Sequence, residues 1–244
     1  MSLEAKQVIR TLTTRAIYGL LLTLVVFSGA LAQEDIEYKM PCEQVLKLGL
    51  DKFMDAYGEK TQDYSTYGQK QAFGYFVNCK RPVNDALAAR TLSEAQRKQI
   101  DDVREAFNKF GSDLWGLKYL EEGGGTMWGL ASVGSYAERE IFMETLIKTF
   151  AVSSKKSRGA RLRANTSLLR IQRLLSSRDR QPFVEGAEPE DITQRKQSYQ
   201  ENMKEVRDGL TKLRSILAAL PDPVADRLAT QMASETKNAL ADSI

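Results

Sequence analysis

Six apolar residues spaced three, four, three, four and three apart (Ile100, Val103, Phe107, Phe110, Leu114 and Leu117) restrict this stretch of chain to an α-helix. A strand would throw members of such a set to opposite faces, whereas a helix gathers them into one seam. Ser93 with Gln96 three positions on supplies a capping box, and Gly123-Gly124-Gly125 stops the run. The spacing therefore predicts a helix from about Ser93 to Glu121.

A second seam runs through Ile192, Tyr199, Met203, Val206, Leu210, Leu213, Leu217 and Leu220, with Pro189 just upstream to open it. Pro221-Asp222-Pro223 follows. Asp222 suits an N-cap and Pro223 a first helical turn, so a final helix is expected to begin there. Between the seams, Met127 to Val152 is apolar on most faces around Ile141-Phe142-Met143 and Leu146-Ile147. A helix of that kind belongs in the centre of a bundle. Few segments alternate with period two.

The N-terminal part differs. Val45, Leu46, Leu50, Phe53, Met54 and Tyr57 lead into a stretch bearing Gly and Tyr, with Cys42 and Cys79 at its ends. A disulfide between these two would close a loop of ~38 residues, worth roughly 4 kcal/mol through chain entropy. Two helices tied by that bridge are expected, with a turn from Gly58 to Asp63. The fold class is all-α, an irregular bundle of about six or seven helices with one N-terminal disulfide. Residues 33–90 form the stapled part and 91–244 the heptad-patterned bundle. Gly123 to Thr126 and Arg180 to Pro189 are the linker candidates.

Residues 1–32 read as a secretory signal peptide. Arg10 and Arg15 precede the apolar run from Ala16 to Phe27, and Ala30 and Ala32 form an A-x-A cleavage site, giving a mature start at Gln33. The run falls short of the ~20 residues that span a bilayer. Export to the periplasm or the extracellular space also suits a disulfide. Loss of the leader would lower the net charge from +3 to +1, which gives no reason to expect nucleic-acid binding.

The chain has no His. That excludes Ser-His-Asp, Cys-His and His-metal chemistry, and a zinc site would have to be completed by carboxylates. No cofactor or metal site is expected. Carboxylate chemistry is the enzymatic alternative, as in a cell-wall or glycan hydrolase. Glu121-Glu122 and Glu138, Glu140 and Glu144 are its only acids in a suggestive setting, and pairing with Lys148 accounts for Glu144 more simply.

The most unusual segment is 155–180, which carries nine cationic residues against the single acid Asp179. Its net +8 leaves the rest of the mature chain at −7, so the charge is segregated. On one helix, Arg163, Arg170, Arg173 and Arg180 share about a third of the circumference, while Leu168, Ile171 and Leu175 gather elsewhere. These four arginines are the candidate site for an acidic protein or an anionic envelope polymer. A membrane surface is the weaker version, because no Trp or Phe lies on the apolar face. The competing expectation is internal pairing with Asp101, Asp102 and Glu105 or with Glu201 and Glu205.

Two further features have ordinary structural readings. The glycines from Gly123 to Gly134 can end one helix and let the next pack closely. Tyr57, Tyr64, Tyr67, Phe73, Tyr75 and Phe76 can fill the space between stapled helices. Asn165-Thr166-Ser167 is a formal glycosylation sequon. The functional expectation is an exported, non-enzymatic helical binding protein, with the hydrolase and a structural coiled-coil protein as alternatives.

Overall fold

A computed structural model describes residues 40–123, 126–153, 157–178, 182–183 and 189–240. The leader, the cleavage site and Arg180 lie outside the described residues. Eight helices occur among the described residues, with no strand: α1 (Cys42–Leu48), α2 (Leu50–Thr61), α3 (Thr66–Thr91), α4 (Glu94–Glu121), α5 (Thr126–Val152), α6 (Arg158–Ser176), α7 (Pro189–Ala219) and α8 (Asp222–Leu240). None of them is long and apolar enough to cross a membrane.

All six members of the first seam are buried on α4, and from Tyr199 onward the second seam is buried on α7. The two helices pack against each other, so each seam covers the other. Ser93 caps α4 as expected: its hydroxyl accepts from the Gln96 N–H at 3.3 Å, and the Gln96 side chain accepts from the Ser93 N–H at 2.9 Å. Helix α5 meets α3, α4 and α8 and buries Met143, Leu146, Ile147 and Phe150, as an all-round apolar helix should. Helix α6 lies mainly against α8. One apolar cluster, from Ala88 to Leu240, joins these elements.

The N-terminal part departs from the expected pair of helices. Gly49 adopts a φ of 77°, which breaks the first segment into α1 and α2. The expected turn starts later than Gly58, with Gln62 in the left-handed region and the Asp63 carboxylate accepting from the Ser65 N–H at 2.9 Å. Gly58 is helical instead, and its lack of a side chain makes room for the Tyr64 ring, which a Cβ there would approach within 2.6 Å. The Cys42–Cys79 disulfide ties α1 to α3 with 5.1 Å between Cα atoms. Under it Phe53 contacts Tyr57, Tyr75 and Phe76, a small aromatic core of its own.

The buried charges are the least expected feature of the interior. Arg139 and Glu235 pair between α5 and α8, with Nε of Arg139 2.9 Å from Glu235 Oε1. The Arg139 guanidinium also lies 5.6 Å from the centre of the Phe107 ring. Arg104 meets Asp85 at 2.8 Å and Glu140 at 3.5 Å. The Asn84 amide donates to the Glu140 carbonyl at 2.7 Å. Apolar periodicity carries no information about such pairs.

Candidate functional site

Helix α6 begins at Ser157, whose hydroxyl accepts from the Ala160 N–H at 3.5 Å. It buries Ala160, Ala164, Leu168, Ile171 and Leu175 against the body of the protein. These positions fall three or four apart, so one stripe of the helix is consumed by packing and the arginines turn outward. The four nominated arginines do not behave as a unit. Arg163 is exposed but forks onto Asp226 of α8, with Nε to Oδ2 at 2.8 Å. Arg170 and Arg173 are exposed, and no carboxylate pairs with them among the described residues.

Internal pairing of the basic segment does occur, with different acids from those expected. Asp101 bonds to Arg104, Glu105 to Lys212 and Glu205 to Lys109. Among the described residues, the acids that reach the basic segment are Asp222, Asp226 and Glu121. Arg161 donates to Asp222 at 2.6 Å and to the carbonyls of Leu217 and Leu220, each at 2.8 Å. Those carbonyls sit at the end of α7, where helical acceptors lack partners, so one guanidinium both pairs a charge and closes a helix terminus. The Asp222 carboxylate also accepts from the Ser157 N–H at 2.7 Å. Arg178 clamps the buried Glu121, to which the Tyr199 hydroxyl donates at 3.0 Å.

Because α6 leans on α8, a groove of about 780 Å³ opens between α6 and α7. Arg158, Arg161 and Arg214 line it together with the buried Leu168 and Leu217 and the exposed Leu162. Leu162 is 68% exposed and Leu169, seven residues on, 50%. The outward side of α6 is thus an apolar strip between cationic side chains. Sequence reasoning missed Arg158 and Arg161 as members and had no signal for Arg214, which flanks Leu213 as an ordinary polar position.

Among the nominated carboxylates, Glu144 is held as an anion. Lys148 and then Lys80 hydrogen-bond to Glu144 and pull its carboxyl down to about 2 from the usual 4.5. A depressed carboxylate contributes stability that is complete above the unfolded pKa and is lost as the pH falls through the folded one. Glu144→Gln should therefore be less stable than the parent at pH 6, with the gap closing between about pH 4.5 and 2. Urea unfolding at stepped pH checks this, and a gap that stays constant down to pH 2 would contradict it.

No family model, curated protein or solved structure matches the chain.

Proposed function

We propose that the protein is an exported, non-enzymatic helical binding protein of the cell envelope or extracellular space. Helix α6, with the groove beside it, receives an acidic amphipathic segment of a partner protein. The observation that carries this reading is the groove itself, with Arg158, Arg161 and Arg214 around Leu162, Leu168 and Leu217. A purely solvated charge run needs no apolar lining, and a purely structural face would not leave Leu162 and Leu169 exposed on the helix that carries Arg170 and Arg173, which pair with no carboxylate among the described residues. An acidic helix with apolar residues at three- and four-residue spacing complements both features. Export rests on the leader pattern at 1–32 and is consistent with the disulfide.

The rival readings have less support. A coiled-coil structural protein would offer its long seams to another chain, yet those of α4 and α7 cover each other. A hydrolase needs a carboxyl that holds a proton near neutrality. Glu144 is pulled the opposite way and Glu121 is bound by Arg178 and Tyr199, while Glu138 is raised by burial but the acid beside it, Glu235, is committed to Arg139.

A fluorescent helical peptide of Glu and Leu provides the probe, read by anisotropy. Replacing Arg158, Arg170, Arg173 and Arg214 together with Gln should weaken its binding by about tenfold or more while the fold survives, since exposed charges contribute only about 0–1 kcal/mol per pair. Arg163→Gln should have little effect, because that side chain is already engaged by Asp226. Binding should fade as the screening length falls from about 10 Å at 0.1 M salt to about 3 Å at 1 M. Equal binding by parent and quadruple variant would overturn the reading, and so would tighter binding to anionic lipid vesicles than to the peptide.

A further inference from the structure

A second cavity, of about 390 Å³, lies among α3, α4, α5 and α8, and none of the basic helix lines it. Phe73 and Trp115 supply aromatic walls, Leu130 an aliphatic one, and Gln231 and Asn238 amide groups. Its volume falls in the range of small-molecule sites, and its lining combines apolar walls with polar and charged groups that can orient a ligand. The wall is built by close approach. A Cβ on Gly134 would come within 3.2 Å of the tip of the Phe73 ring, so the glycine lets the ring edge approach α5 closely.

The charge balance of the cavity is negative. Glu138, Arg139 and Glu235 line it, and Arg139 is committed to Glu235. The Glu138 carboxylate has no cation within ion-pair distance among the described residues. Lys70, whose ammonium lies against Gly129, does not line the space. Glu138 is exposed at this cavity, and a carboxylate at the mouth of a space that Phe73 and Trp115 also line suits a cation with an apolar body, through charge pairing at one end and aromatic and hydrophobic contact along the rest.

We propose that this cavity binds a small organic ammonium ligand, with Glu138 receiving the ammonium group and Phe73 and Trp115 flanking its apolar body. Gln231 and Asn238 offer hydrogen-bonding groups at the same opening. The carboxyl of Glu138 is already pushed above its usual range, first by burial and then by Glu235, with Asp51 adding to the effect and Arg139 opposing it. A bound cation relieves that penalty. The site is independent of the α6 groove, so either can fail without the other.

Calorimetric titration of the whole protein with phenethylammonium, 2-phenylethanol and 3-phenylpropionate tests the assignment, since the three share a ring and differ in charge. Phenethylammonium should saturate the protein and bind about tenfold more tightly than the alcohol. The carboxylate should not bind. Glu138→Gln should bring the ammonium compound down to the level of the alcohol, and Ala131→Leu, which fills the cavity, should remove both. Lack of saturation by phenethylammonium would overturn the proposal. Equal affinity for charged and neutral compounds, or full affinity in Glu138→Gln, would do the same.

Discussion

Replacing Arg139 with Ala should destabilise the protein by about 3–5 kcal/mol, a large part of the total for a domain of this size. The cause is the charge left behind. Glu235 is 7% exposed, and its two oxygens share the single Arg139 Nε–H at 2.9 and 3.1 Å, besides the contact with the terminal nitrogen. Without the guanidinium, Glu235 is left as a nearly buried anion with no cation bonded to it. The same pair can be attacked without touching either charge. A Cβ on Gly111 would occupy the position of the guanidinium, so Gly111→Ala should also destabilise strongly. The double variant Arg139→Met, Glu235→Leu should recover most of the loss, because a buried pair is costly to break and much less costly to replace by apolar groups. Urea unfolding of the four proteins is the check. An Arg139→Ala penalty below about 1 kcal/mol would mean that water reaches the pair, contrary to its burial.

Removing the bridge by Cys42→Ser, Cys79→Ser should release the N-terminal helices before the rest of the molecule. Chain entropy alone assigns the closed loop about 4 kcal/mol. The packing of this region makes the effect local. Helices α1 and α2 pack mainly on α3 and on each other, and the aromatic core around Phe53 lies outside the cluster that joins α4 to α8. Hydrogen exchange should show residues 42–61 losing protection in the double variant while α4 and α7 keep theirs. Uniform loss of protection would show that the staple supports the whole bundle. No loss anywhere would show that the aromatic core suffices without it.

The elements that were legible in the sequence are those whose signal is a period. The seam from Ile100 to Leu117, the Ser93–Gln96 box and the start of the last helix at Asp222 all follow from local spacing and capping chemistry. The break at Gly49 was not legible, because Val45, Leu46, Leu50 and Phe53 continue a helical pattern across it. Only the backbone conformation of one glycine marks the interruption. Long-range charge pairs were not legible either. Arg161 finds Asp222 and Arg178 finds Glu121 across about sixty residues of chain, and nothing in the spacing of charges distinguishes them from other pairings. The groove depends on a choice between neighbours: α6 packs on α8 and stands away from α7, which brings Arg214 into its lining. Composition could mark the basic helix as unusual but could not say which of its faces would remain uncovered.

The groove is the central claim, and the most direct measurement is photocrosslinking of the Glu/Leu peptide carrying a photoreactive leucine, with the attachment points mapped by mass spectrometry. The account predicts attachment within residues 158–173 of α6 and 214–218 of α7, strongest near Leu162 and suppressed at 1 M salt. Attachment scattered over the surface, or concentrated away from those two segments, would contradict it.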